Sequence, residues 1–281
     1  MPWTDMLLRI HTPSPPLDYY IDAIWYAAAD DFRGIHRTIP MLHHELIFNF
    51  SDHFSIHAGQ GSPTLIANAG CWISGLQTAP TITRTMGRHE MAGILFKPYG
   101  LRQFTGIPAA GFRNLAISGK EILGDDAIRL MARMAGTARI NEKFSLLEAF
   151  LQSRCNPTTL PDYIPHAVRF LADEPARVGM IGALAREIGI TAAALIAAFN
   201  NHVGLTPLCL LQLQRLNRVL RDLAADPRGP LTELAHRHGY FDQAHCIRHF
   251  RRMTGITPSS YKRAALAGAL SPISPNSILL G

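Results

Sequence analysis

The second half of the chain repeats apolar residues at three- and four-residue spacing, while the first half breaks them into short, partly alternating runs. Those are the patterns of packed helices and of strands. A single pattern occurs twice within the helical half: LAREIGITAAALIAAFNNHVGLTP from Leu184 to Pro207 and LAHRHGYFDQAHCIRHFRRMTGITP from Leu234 to Pro258. Ala185 and Gly189 align with Ala235 and Gly239 at an offset of 50, and Phe199, Gly204 and Pro207 align with Phe250, Gly255 and Pro258 at 51. A small residue lets two helices approach, a glycine turns the chain and an aromatic anchors the second helix, so each copy reads as a helix-turn-helix unit. Thr191 and Asp242 are placed to cap the second helix of each unit. Leu195, Phe199 and Val203, and likewise Cys246, Phe250 and Met253, fall on one helical face and predict core. Ala193, Ala197 and Asn200 face outward in the first copy, as do Ala244, Arg248 and Arg251 in the second.

Between the units, Leu208–Ala225 carries a wide apolar stripe and predicts a helix spanning on the order of 27 Å. Such a strut would suit two recognition helices about one duplex turn, roughly 34 Å, apart. Tyr163–Ala172 predicts a supporting helix, and RCNPTTLPD, residues 154–162, reads as a linker because its prolines prevent helix. In the first half, Leu46–Phe54, Ser55–Gly59, Thr64–Ile73, Thr81–Met86 and Met91–Lys97 are short runs of β-formers. They predict an antiparallel barrel or sandwich. Gly119–Ala135 and Asn141–Gln152 follow as amphipathic helices, to pack on the barrel or across a dimer. The expected fold is α+β: a β-rich domain over residues 1–153, a linker over 154–162, an all-α domain over 163–270 and a flexible tail over 271–281.

Charge sharpens the division. The chain of 281 residues has 27 Lys+Arg and 21 Asp+Glu, and residues 163–281 hold 13 and 7 of these, which accounts for the whole net charge of +6. Arg215, Arg218, Arg221, Arg248, Arg251, Arg252, Lys262 and Arg263 dominate this excess, and guanidinium groups suit phosphate oxygens and guanine edges. A polyanion such as DNA is the partner this distribution favours. The four cysteines are scattered without metal-ligand spacing, so neither disulfide nor structural metal is expected. His43, His44, Glu45, His53, His57 and His89 invite a metal reading, but His43 and His44 would point to opposite faces of a strand. No phosphate loop or nucleophile elbow is present. Neither a catalytic residue nor a cofactor is expected. No apolar run is long enough to cross a bilayer, and a cytoplasmic location is expected.

The segments LARE-G, FNNHVGLTP, LQRLNRVLRDL and above all GYFDQAHCIRHFRRMTGITPSSYKR, Gly239–Arg263, resemble the AraC/XylS family of transcriptional regulators over roughly 100 residues. That resemblance implies binding to double-stranded DNA near promoters. The chain departs from the family's pattern in one place: Ala193 and Ala197 stand where the first recognition helix usually shows Arg. Base readout is therefore expected mainly from the second unit. Gln243 and Arg248 would read bases there, with His245, Arg251 and Arg252 nearer phosphates or the helix flank, and Asp242, Lys262 and Arg263 are further DNA-binding candidates. Thr191, Ala192 and Asn200 would contribute from the first unit. The order LIFNFSD, ISGLQT, GILFKPYGLRQFTGIP and EILG resembles a cupin-like sensor domain found in front of some of these regulators. Trp25, Tyr26, Trp72, Phe96 and Tyr99 are candidates to line an effector pocket in it. Expected partners are DNA, RNA polymerase, a second copy of the chain and a small-molecule effector, with no membrane. Two alternatives stay open: an interaction protein that has lost operator binding through its alanine-rich first recognition helix, and a cupin-type enzyme with a DNA-binding tail.

Overall fold

A computed structural model of the chain describes residues 6–59, 64–67, 70–156, 160–173, 179–271 and 274–280. The strands in chain order are β1 (Leu7–His11), β2 (Ile21–Ala29), β3 (Gly34–Thr38), β4 (His44–Asn49), β5 (His53–His57), β6 (Thr64–Ala67), β7 (Cys71–Ser74), β8 (Thr81–Met86), β9 (His89–Phe96), β10 (Ala116–Ser118) and β11 (Ser277–Leu279). They build two antiparallel sheets, one in the order β1-β2-β9-β4-β7-β10 and the other β11-β3-β8-β5-β6. The expected runs broke into shorter strands: Leu46–Phe54 became β4 and the start of β5, and Thr64–Ile73 contributes β6 and β7 around residues that lie outside those described.

β2 had not been anticipated. Its sequence, IDAIWYAAA, does not alternate, because both faces of this strand, paired between β1 and β9, are covered. Ile24 and Tyr26 join the main core on one face, whereas Ala23, Trp25 and Ala27 look into the space between the sheets. The same parity runs along β4 and β9, where Leu46, Phe48, Ala92, Ile94 and Phe96 face the helices and Glu45, Ile47, Met91 and Leu95 face inward. Little packs inside the sandwich besides Ile47, Phe54, Ile66, Trp72 and Met91. The large core lies instead between the outer face of the first sheet and the helices.

Those helices are α1 (Arg102–Thr105), α2 (Gly119–Leu123), α3 (Asp125–Ala135) and α4 (Ile140–Arg154). The single helix expected over Gly119–Ala135 is broken at Gly124, whose φ of 69° belongs to the left-handed region. On α4, Lys143 is buried and donates from Nζ to Glu90 Oε1 on β9 at 3.0 Å and to the Met134 carbonyl at 2.9 Å, pinning the helix pair to the sheet.

Seven helices follow among the described residues: α5 (Tyr163–Asp173), α6 (Met180–Ile188), α7 (Ala192–His202), α8 (Pro207–Ala225), α9 (Leu231–Arg237), α10 (Gln243–Thr254) and α11 (Pro258–Leu266). The expected linker falls partly on residues 157–159, which lie outside those described, and the apolar core passes without interruption from the sheet helices into this group. His44 Nε2 donates to the Val203 carbonyl at 3.1 Å, and Gly204 sits so close to the Ala109 carbonyl that a Cβ there would lie 2.7 Å from its oxygen.

The tail expected to be flexible is ordered over residues 274–280, which corrects that expectation. β11 pairs with β3, Ile278 is buried, and Asn276 Nδ2 donates to the Pro40 carbonyl and to Asn217 Oδ1, each at 2.9 Å. A short apolar strand whose ladder partner comes from the far end of the chain leaves no local signal of order.

Candidate nucleic-acid interface

Each repeat folds the way its aligned residues require. α6 ends at Gly189 and α9 is followed by Gly239, both in the left-handed region at φ 81° and 70°. The chain axis turns by 89° between α6 and α7, within the range of helix-turn-helix corners. Thr191 Oγ1 accepts from the Ala194 N–H at 3.1 Å and Asp242 Oδ1 from the His245 N–H at 2.6 Å, so both second helices start on a side-chain cap. Gly204 and Gly255, again at positive φ, close them. Thr206 and Thr257 then cap α8 and α11, each with proline in the first turn.

Leu195, Phe199 and Val203 are buried beneath α7, and Cys246, Phe250 and Met253 beneath α10. This fixes which faces look outward. On α10, Gln243, Ala244, Arg248, Arg251 and Arg252 are exposed, with His245 half-buried. Gln243 is tethered, its Oε1 accepting from Thr232 Oγ1 of α9 at 2.8 Å. Arg248 and Arg251 extend from the open face, whereas Arg252 turns back to donate to Gln212 Oε1 on α8 at 3.2 Å. On α7, Thr191, Ala192, Ala193 and Ala197 are exposed and Asn200 is half-buried. Ile196 is 39% exposed beside them, so this outer face is small and apolar.

Several cations counted toward the basic surface serve the fold instead. Arg215 lies 4.9 Å from the Tyr240 ring centroid, Arg218 donates to the Ala172 carbonyl, and Lys262 donates to the Gly229 carbonyl. Arg215 and Arg218 lie on α8, the central strut, on faces where a long side chain meets neighbouring segments before solvent. Arg221 and Arg263 are exposed, and Arg263 donates to Ser260 Oγ at 3.2 Å. One exposed residue escaped the sequence reading. Phe241, beside the Asp242 cap, is 87% exposed. Its only sequence signal was an aromatic in the turn before a helix, where apolar side chains normally fold inward.

A helix-turn-helix family model matches residues 184–264, the stretch containing both units. The stretch holding both units is thus a helix-turn-helix domain, similar to that of AraC-like regulators. A model for a domain of unknown function matches residues 9–118. A protein of Rhodococcus erythropolis named as a thc operon regulator is 28% identical over 102 residues, which are 36% of this chain and 31% of that one. A protein of Streptomyces antibioticus named as an AraC-like transcription regulator is 29% identical over 100 residues, 36% of this chain and 33% of its own. The chain therefore spans about a third of the length of the curated relatives it matches. Among solved structures, ToxT from Vibrio cholerae O395 aligns over 94% of this chain and 99% of that chain, with a TM-score of 0.47 and 8% identity. The DNA-binding domain of AdpA, solved in complex with a target DNA, aligns over 39% of this chain and 94% of its own, with a TM-score of 0.32 and 24% identity.

A second site lies between the sheets, a cavity of about 360 Å³. Of the residues expected in an effector pocket, Trp25 and Trp72 line it and Tyr26, Phe96 and Tyr99 do not. Strand parity is the cause. Tyr26 points outward and donates to Glu90 Oε1 at 3.0 Å, Phe96 packs against Phe104 at 5.2 Å, and Tyr99 lies beyond the strand against Tyr19 at 6.1 Å. His43 and Glu45 do reach the cavity, as do His36 and His89. Among the described residues no group of three or more His, Cys, Asp or Glu is arranged to hold a metal ion, and no single helix is long and apolar enough to cross a membrane.

Proposed function

We propose that the chain is a DNA-binding transcriptional regulator that reads sequence mainly through α10. The observation that carries this reading is the outward face of α10, where Gln243, Arg248 and Arg251 stand exposed on a helix capped at Asp242 and anchored by the buried Cys246, Phe250 and Met253. A rigidly seated helix with forked donors on its open face suits a major groove. Phosphate contacts from Arg221, Arg263 and the helix flanks would supply affinity, and Gln243 and Arg248 would supply sequence choice. A second copy of the chain and RNA polymerase complete the reading as partners.

The cavity supports modulation by a small molecule. The segment leaving α11 places Ser271, Ser274 and Ser277 on its wall, so the second helix-turn-helix unit and the cavity are joined by a few residues of continuous chain.

Selection of bound duplexes from a random pool, with salt titration, tests the reading. An enriched motif and a steep salt slope are expected, and a steep slope without enrichment would overturn sequence-specific binding. Arg248→Ala should lose about 1–3 kcal/mol at the selected site and relax one base position. An unchanged motif and affinity would remove Arg248 from its role.

A second reading is favoured by α7 alone. Its outer face of Ala192, Ala193, Ile196 and Ala197 lacks a forked donor, which suits docking on another protein better than a groove.

A further inference from the structure

The walls of the inter-sheet cavity have an uneven chemistry. They are mostly apolar, built around Trp25, Phe54, Trp72 and Met91, and among the described residues lining them there is no Lys or Arg. Among those described residues Glu45 is the one acidic residue, set on β4 with its side chain on the same face as Ile47. Burial pushes its carboxyl up to about 7, with His43 opposing the shift. His43 Nε2 is itself hydrogen-bonded to Asp22 Oδ2 at 2.9 Å, so that imidazole already has a carboxylate partner. His36 and His89 are held neutral, each pushed down to about 4 by burial, with His36 also opposing a charge on His89. Trp72 is fully buried and stacked on Phe54 at 5.0 Å, and its indole N–H has no hydrogen-bond partner among the described residues.

We infer that this cavity takes an apolar molecule bearing a positively charged nitrogen, an alkyl- or arylmethylamine, with the ammonium on the Glu45 carboxylate and the hydrocarbon between Trp25 and Trp72. The inference deepens the effector reading above and rests on it only in calling the occupant an effector. Among the described lining residues an anionic ligand would find no Lys or Arg in an otherwise apolar space, and an uncompensated buried charge is costly. A neutral hydrocarbon would leave the Glu45 carboxyl desolvated and unpaired, a cost of the same kind. A cation removes that cost and gains the faces of the indole rings. The unpartnered Trp72 N–H adds a position for an acceptor atom elsewhere on the molecule.

The experiment uses the full chain without DNA and follows tryptophan fluorescence, since Trp25 and Trp72 both face the cavity. The probes are three molecules of one shape: cyclohexylmethylamine, cyclohexylmethanol and cyclohexanecarboxylate. The amine should bind at least about tenfold more tightly than the carboxylate, with the alcohol between them. Glu45→Gln should bring the amine down to the level of the alcohol and leave the alcohol unchanged, which also shows that the variant keeps its cavity. Carboxylate binding equal to or tighter than amine binding overturns the proposal, as does an amine-to-alcohol ratio untouched by Glu45→Gln, or no binding by any of the three at millimolar concentration. A mobility-shift assay on the same preparation tests DNA binding separately, so failure of the ligand and failure of the regulator reading are told apart.

Discussion

His44 and Glu45 are neighbours on β4, yet parity sends one into the core and the other into the cavity. His44 bridges the two halves of the molecule through the Val203 and Pro98 carbonyls, and burial pushes it down to about 4. His36, His89, His202 and His249 are likewise pushed down to about 4, by burial first in every case. Each stays neutral in the fold while the unfolded imidazole, near 6.5, takes up a proton. Their contribution to stability is therefore full above pH 6.5 and is lost as pH falls toward 4. Glu45 acts with the opposite sign, its contribution present below 4.5 and lost as pH rises through about 7. Five groups outweigh one on the acid side, so Tm should fall steadily from pH 6.5 to pH 4; thermal unfolding followed by circular dichroism checks this, and a flat profile would contradict the buried, neutral imidazoles. Gly93 gives a second prediction at this scale. A Cβ there would lie 2.5 Å from the Trp25 ring, so Gly93→Ala should push Trp25 into the cavity and cost about 1–3 kcal/mol. Urea unfolding and a shifted tryptophan emission would report it.

At the scale of elements, the second helices of the two units, α7 and α10, share a frame and differ in chemistry. Caps at Thr191 and Asp242, left-handed glycines and buried aromatics are equivalent in both, while the outer face is alanine on α7 and arginine on α10. The frame was legible because caps and glycine turns are local, set by residues a few positions apart. The arginines of α8 were less legible, since sequence periodicity does not say which neighbour a long side chain meets. If α7 is a reader stripped of its donors, Ala193→Arg with Ala197→Arg should restore affinity, by about 1–3 kcal/mol for each bidentate pairing formed with a base. Competition binding to the selected duplex measures this, and a correctly folded variant with no rise in affinity would assign α7 to protein docking.

At the scale of the whole molecule, one apolar core runs from the outer face of the first sheet through the seven-helix group, and the chain's end returns to the second sheet. Tyr261 Oη on α11 donates to the Pro275 carbonyl at 2.8 Å, and Asn217 on α8 shares Asn276 and the Pro40 carbonyl. Ending the chain after Leu270 exposes the partners of Ile278, leaves Asn217 Oδ1 without its donor Asn276 and removes serines from the cavity wall. The loss of stability should be at least about 2 kcal/mol, with weakened amine binding. Asn276→Ala, which keeps β11, should show a fraction of that stability loss by itself. Urea unfolding and the fluorescence titration check both, and a truncated chain as stable as the full one would mean that the strand is not held.

What the sequence by itself determined is whatever is written in short-range rules: the twin helix-turn-helix frame, its caps and corners, the helical strut and the placing of Arg248 on an open face. Only the tertiary structure decided that β2 pairs between β1 and β9, that Ser277–Leu279 is a strand, that Lys143 is buried on Glu90, and that Trp25 and Trp72 rather than Tyr26, Phe96 and Tyr99 face the cavity. The reason is common to all of these: a strand covered on both faces loses its alternation, and the partner that orders it lies far away along the chain.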